Sequence, residues 1–367
     1  MQKLILPFCL FFIICMLIFP EESYTAAQDG LMLWWRVVLP ALLPFFMIAE
    51  ILLASNSITY IGYLLAPVMR PVFRLPGEAA LAMVMGYSSG FPTGAAVTAG
   101  LRQKGLVSKE EGERLIAFTN NASPLFITIS VAAGILAEPS LGYLLMLIHY
   151  GSNLLIGFVL RFSAPAPAKI NKKIQPLPPS QDLLPLGKIL KNAAQKAGRN
   201  VVLIGCYMVF FSVLTQILQS SGLTNMMINF FHLPPDIGRA LGLGIWEMTL
   251  GIDAMSASTA GLGLKLAVCA ALLAWGGFSV QAQVAAMVSD TDISIKTYIA
   301  SRIAQVAISF SAVFLLLRQW PLTSLASTIK GADSLLTATP FFAFIGPMLF
   351  LLTAAILGRY LMLKRFG

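Results

Sequence analysis

The chain has 367 residues, 57% of them hydrophobic and only 11% charged, with a formal net charge of +9 and a mean hydropathy of +0.80. So little charge cannot cover a water-soluble surface, which excludes a pair of soluble domains and makes this an all-α polytopic membrane protein with lipid as its solvent. Much of the positive excess sits in one connector, where Lys169, Lys172, Lys173, Lys188, Lys191 and Lys196 face Asp182 alone; this marks a cytoplasmic side and is no nucleic-acid footprint.

In chain order, Lys3 precedes an apolar run from Leu4 to Phe19, and Glu21 and Glu22 follow it. Residues 1–20 therefore read as an N-terminal transmembrane helix, retained as a signal anchor. Further apolar runs cover 37–54, 80–100, 115–136, 141–161, 200–219, 237–252, 260–279, 297–317 and 341–360. Each approaches the ~20 residues a helix needs to cross the hydrocarbon. Two shorter stretches, 60–76 and 223–235, are amphipathic and end at proline, so they are expected to lie in the interface. Between the halves, 162–198 reads as a basic, Pro-rich cytosolic linker.

The two sides of that linker resemble each other. "FFMIAEILLASNSIT" from Phe45 lines up with "FFSVLTQILQSSGLT" from Phe210, and "LPGEAALAMVMG" from Leu75 with "LPPDIGRALGLG" from Leu233. An offset of about 160 residues maintained across both matches signals an internal duplication. It divides the chain into repeats at 36–161 and 199–320, with a C-terminal transmembrane helix at 340–361. The first repeat enters from outside and the second from the basic linker, which gives an inverted pair. Parity then requires one run in each half not to cross, so each repeat is expected to carry a re-entrant hairpin.

Polar interruptions fall at matching places in the two repeats. The first carries "GYSSGFPTG" (86–94) and "TNNASP" (119–124); the second carries "WEMTLGID" (246–253) and "WGGFSVQAQ" (275–283), with "SDTD" (289–292) after it. Proline and glycine break helices, and a break inside hydrocarbon persists only where protein or a water-lined cavity satisfies its backbone. Half-helix N-termini there would offer N–H groups to a carboxylate or phosphate. Candidate substrate-binding residues are Ser88, Ser89, Gly90, Phe91, Thr93, Asn120, Asn121, Ser123, Trp246, Ser279, Gln281 and Gln283. Glu247, Asp253, Asp290 and Asp292 are candidates for cation or proton coupling, because a carboxylate at membrane depth must be paired, protonated or hydrated. For each, helix packing or capping is the competing reading.

Gly86 to Gly90 also matches the hydrolase pattern G-x-S-x-G, without the soluble strand–turn–helix context that pattern needs. The four cysteines and two histidines show no ligand spacing, so no metal or cofactor is expected. The chain is expected not to be an enzyme, and its transport to be secondary.

"GYSSGFPTGA", "FTNNASPLF" and "GGFSVQAQV…SDTDI", flanking a Pro-rich middle, resemble the YlbJ (SpoVV) family of sporulation integral membrane proteins. The repeats resemble the "nucleoside recognition" gate domain of concentrative nucleoside transporters. The resemblance implies a carrier of dipicolinic acid (pyridine-2,6-dicarboxylate) across the outer forespore membrane. It also implies gate-like repeats that place substrate between hairpins and broken helices, and a homo-oligomer in some relatives. On matching positions it puts the site at Ser88–Thr93, Asn120–Ser123 and Phe278–Gln283. "TNNASP" lacks the carboxylate of the nucleoside carriers. A carrier of nucleosides or other small organic anions, and a non-transporting sporulation scaffold, remain the alternatives.

Overall fold

The computed structural model describes residues 2–55, 57–163, 185–230 and 233–319. Among them every regular element is helical. The expected C-terminal helix at 340–361 and the linker residues 164–184 lie outside the described residues.

The chain opens with α1 (Gln2–Ile18), then α2 (Pro20–Leu33), a π-helical stretch Trp34–Val38 and α3 (Leu39–Ala54). Pro40 and Pro44 cannot donate to the carbonyls four residues back, and a wide π turn, in which Leu39 N–H donates to the Trp34 carbonyl, lies just ahead of the first of them. Residues 20–54 thus form one apolar helical stretch long enough to cross a bilayer. Four more stretches qualify, at Leu141–Ser163, Leu186–Ser220, Leu262–Val288 and Lys296–Arg318.

The first half continues with α4 (Ser57–Phe73), a short 3-10 turn, α5 (Ala80–Ser89), α6 (Thr93–Gln103), α7 (Lys109–Thr119), a π-helical stretch Phe126–Ile135 and α8 (Leu141–Leu160). The second half runs α9 (Leu186–Ser220), α10 (Leu223–Phe230), α11 (Pro235–Gly244), α12 (Met248–Ser256), α13 (Leu262–Trp275), α14 (Gly277–Val288) and α15 (Lys296–Gln319). After α3 and α9 the elements correspond in order, apart from the 3-10 turn between α4 and α5. One difference from the sequence reading is at the N-terminus, where the expected span at 1–20 is a 17-residue helix, α1, shorter than the five spanning stretches. Another is at the linker, where α9 begins at Leu186 and 186–198 are helical. Their lysines are spaced along a helix whose alanines 193 and 197 are buried, so one face packs while the charged face stays out.

α9 runs antiparallel to α2–α3. Gly30 faces Val209 and Ser212, the Trp34 ring covers Gly205, and Lys196 pairs with Glu50 at 3.3 Å. The Trp34 Nε1–H donates to the Val201 carbonyl at 2.9 Å, fixing the register at mid-helix.

The runs 80–100 and 237–252 fold as helical hairpins, one per half. α5 and α6 have 10 and 11 residues, and α11 and α12 have 10 and 9. At 1.5 Å per residue each arm is about 15 Å long, half of the ~30 Å hydrocarbon layer. Small residues close both hairpins: Gly86 abuts Gly94, and Gly244 abuts Gly251. A polar turn joins α6 to α7; Gly105 takes φ +68° there and Ser108 caps α7. There the Ser108 hydroxyl accepts from Glu111 N–H while the Glu111 carboxylate accepts from Ser108 N–H, a capping box.

Packing between the halves comes in exchanged pairs. α6 meets α14 while α12 meets the Phe126–Ile135 helix, and α7 meets α15 while α13 meets α8. The buried core follows these contacts, with one cluster around α13, α8 and α15 and another where α6, α7, α14 and α15 converge.

Candidate functional site

Four helix breaks meet in the middle of the bundle. The tip of the first hairpin, Ser89–Thr93, lies against the 120–123 break, with Gly90 held at φ +96° directly over Ser123. The tip of the second hairpin, Trp246–Glu247, lies against the Gly276–Gly277 break. Phe91 joins the two, its ring close to Gly276 and packed against the buried cluster that includes Met248 and Val280. The Gly276–Gly277 pair takes φ +76° and +78°. Two consecutive left-handed residues end α13 and restart the chain as α14, a conformation that glycine alone adopts cheaply.

Each break is satisfied by its own polar residues. Asn120 bridges: its Oδ1 accepts from Ala95 N–H at 2.9 Å on α6, and its Nδ2 donates to the Ile116 carbonyl at 2.8 Å on α7. The Ser123 hydroxyl accepts from Phe126 N–H at 3.2 Å. The Ser89 and Thr93 hydroxyls share a hydrogen bond of 2.9 Å across the first tip. In the second half, Phe278 and Ser279 N–H donate to the Ile245 and Trp246 carbonyls at 2.9 and 3.0 Å. The Glu247 carboxylate accepts from Leu250 N–H at 2.9 Å as an N-cap. The half-helix N-termini expected to greet an anion are therefore closed by Asn120, Ser123, Glu247 and main-chain carbonyls in this arrangement.

Behind the first break lies a polar layer that the sequence reading missed. Arg302 on α15 is fully buried. Its Nη2 donates to the Ala117 carbonyl and to Asn153 Oδ1, both at 2.6 Å, and its Nη1 to the Asn120 carbonyl at 3.2 Å. The Tyr298 ring lies under the guanidinium, 5.2 Å from centroid to Cζ. Asn153 donates in turn to Asn121 Oδ1. His149 Nε2 accepts from Ala122 N–H at 3.1 Å, and Tyr150 donates to the Ala122 carbonyl at 3.0 Å. Gln305 Nε2 donates to the His149 carbonyl and the Ser152 hydroxyl. The arginine thus collects carbonyls at the C-terminal end of α7, where the helix dipole is negative. A lone arginine in the apolar run 297–317 was the available signal, since charge inside a membrane segment points inward to a site or a cavity.

The structure brings together Ser89, Gly90, Phe91, Thr93, Asn120, Asn121 and Ser123, all at the first break, with Ser88 half-buried on the last turn of α5. Trp246 stacks at a tilt on Phe278, centroids 5.3 Å apart, at the second break. Ser279, Gln281 and Gln283 are buried along α14, with Gln283 Nε2 donating to the Ser279 hydroxyl at 3.3 Å. The coupling candidates separate from one another. Glu247 is half-buried at the second tip, while Asp253 and Asp290 are exposed. Asp292 is also exposed, paired with Arg102 at 2.8 and 2.9 Å across the α6–α14 junction. That guanidinium, first by hydrogen bond and then by charge, holds the Asp292 carboxyl below its ordinary range.

Hairpins in matched positions, broken helices and a buried polar centre define an α-helical membrane protein of the gate type. Residues 35–139 match the family model "Gate: Nucleoside recognition", a span that runs from Trp35 past both breaks of the first half and ends just before α8. Over 340 residues the chain is 37% identical to the sporulation integral membrane protein YlbJ of Bacillus subtilis (strain 168), covering 87% of this chain and 83% of that protein. The chain belongs to the YlbJ family of sporulation integral membrane proteins. No solved structure matches it.

Proposed function

We propose that the chain is a secondary carrier of small organic anions, with dipicolinate as its substrate, acting at the outer forespore membrane by alternating access. One observation carries this reading: four helix breaks, two per half, meet around Phe91 within an apolar bundle, with a buried polar layer behind the first of them. Such breaks in hydrocarbon are the way carriers build a midplane site.

Two inverted repeats are part of the proposal. The equivalent helices α3 and α9 run antiparallel. So do α8 and α15, whose contacts pair 153 with 302 and 149 with 305. A two-fold axis perpendicular to both pairs would exchange the halves, and the exchanged packing of α6–α14 with α12 and the Phe126–Ile135 helix is what that axis requires. Such an axis lies in the membrane plane, so the two conformations it interconverts face opposite sides.

Catalysis is a weaker reading of the same residues. Ser89 is committed to Thr93, and His149 Nε2 to a main-chain N–H, so these two form no serine–imidazole pair. Nucleoside recognition rests on the gate-family match, but the first break offers amides and hydroxyls, with no carboxylate to hold ribose hydroxyls. A dianion fits that donor-rich centre better.

Purified protein in liposomes loaded with terbium tests the proposal, since arriving dipicolinate makes the ion luminesce. Wild type should give protein-dependent uptake, and Asn121→Ala should reduce it severalfold while remaining folded. Folded wild type that gives no uptake under any gradient would refute the proposal in favour of a scaffold.

A further inference from the structure

Arg302 is the point where the structure carries more charge than it balances. Its side chain is fully buried, and its partners are two carbonyls, an amide oxygen and an aromatic face, all neutral. The ion pairs among the described residues, Arg102–Asp292 and Lys196–Glu50, lie elsewhere. The end of α7 supplies about half a negative charge, and the remainder is uncompensated. A buried charge in this condition adds little to stability, because desolvation offsets what its hydrogen bonds return.

The surrounding polar atoms have the same bias. Arg302 Nε–H and the Tyr298 hydroxyl are buried without a hydrogen-bond partner, as is His149 Nδ1. Because His149 Nε2 accepts from Ala122 N–H, the neutral ring carries its proton on Nδ1, which makes that atom a third unpartnered donor. Gln305 Oε1 is one unpartnered acceptor among them. Tyr298, Arg302 and Gln305 follow one another at i, i+4 and i+7 on a single face of α15. That face packs on α8 through Asn153, Ser152 and His149.

We propose that Arg302 is the anion-recognition residue of the carrier, and that a carboxylate of the transported organic anion replaces the α7 carbonyls on its guanidinium when the first hairpin moves aside. In the closed arrangement the Ala117 and Asn120 carbonyls stand in for that carboxylate. The forked donors of arginine suit a carboxylate bidentately, and Tyr298 and His149 supply donors for its second oxygen or for a second carboxylate. This inference rests on the reading of the chain as a carrier of small organic anions and adds the residue that selects for charge.

The test places a competing carboxylate inside the protein. Asn153→Asp puts an anion on the atom that already accepts from Arg302 at 2.6 Å, and Asn121 can turn its amide to donate to it. The variant should melt at or above the wild-type temperature and yet lose at least about tenfold in affinity, because a charged hydrogen bond to ligand is lost to an internal rival. Arg302→Lys should also weaken binding about tenfold, through loss of the fork. The probes are dipicolinate, isophthalate (the same two carboxylates without the ring nitrogen) and uridine, read as thermal stabilisation of detergent-purified protein. Both dicarboxylates should stabilise wild type and fail to stabilise Asn153→Asp, while uridine should leave wild type unchanged.

Wild-type affinity in folded Asn153→Asp would overturn the proposal, as would stabilisation by uridine alone or by none of the probes. If Arg302→Lys does not fold, Asn153→Asp still decides. Arg302-dependent binding of isophthalate without any dipicolinate uptake would refute the assigned substrate and leave the recognition residue standing. Normal dipicolinate uptake by both variants would do the reverse.

Discussion

Placing a methyl group on Gly277 should separate the second hairpin from its break. Gly277 has φ +78°, and a Cβ there would lie 2.8 Å from the Trp246 carbonyl oxygen and 3.1 Å from Glu247 Cα and Met248 N, all backbone atoms. The left-handed conformation costs an L-residue about 1–2 kcal/mol, and displacing packed backbone costs about 1–3 kcal/mol more. Gly277→Ala should therefore lose about 2–5 kcal/mol, which at roughly 2–4 °C per kcal/mol lowers the melting temperature by about 4–20 °C. Gly276→Ala carries only the conformational cost. It has φ +76°, but the nearest atoms are Val280 side-chain carbons at 3.3 Å, which can yield, so its loss should be about half as large. Gly100→Ala is the control: it lies inside α6 and meets only the Leu53 side chain, at 2.7 Å. There the gain in helix propensity, about 1 kcal/mol, offsets the shift of Leu53. Melting in detergent, followed by tryptophan fluorescence, ranks the three. Gly277→Ala melting within about 1 °C of wild type, or above Gly276→Ala, would refute the geometry assigned to the second break.

Ser108→Ala should cost about 1 kcal/mol by removing the cap of α7, read in the same melts, with uptake unchanged. Asp292→Asn should be less stable than wild type near neutral pH. Because Arg102 lowers the folded carboxyl below its unfolded value, the contribution is complete above the unfolded value and vanishes as pH falls through the folded one. The difference in melting temperature between the two should therefore close at acid pH, and shrink at high salt even near neutrality. Glu247→Gln keeps an oxygen to cap Leu250 N–H, so it should fold like wild type. If Glu247 is the coupling residue, uptake into proteoliposomes by that variant should lose its response to a pH gradient.

The five long stretches were legible because length and apolarity decide them, and the breaks because glycine and proline stand out in an apolar run. The hairpins followed from counting sides. What the sequence could not display is which polar atoms meet. Asn120 and Ser123 were visible as polar residues in a break, but their caps to Ala95 and Phe126 depend on how the hairpin seats. Arg302 was counted within the run 297–317, and its link to Asn120, 182 residues away, exists only through the packing of α15 on α7. Lysine spacing in 186–198 was read as linker composition, although Ala193 and Ala197 already supplied one side of a helix. Among the coupling candidates, sequence position alone could not separate Glu247 at the second tip from Asp253 and Asp290, which face outward.

Counterflow tests the central claim most directly. Proteoliposomes are preloaded with unlabelled dipicolinate and diluted into a trace of labelled dipicolinate, with no ion gradient imposed. A carrier whose site alternates between faces must exchange one for the other, so labelled substrate should rise above its equilibrium level and then decay, and Asn153→Asp should abolish the overshoot. A monotonic approach to equilibrium would contradict alternating access, and no protein-dependent entry would contradict transport itself.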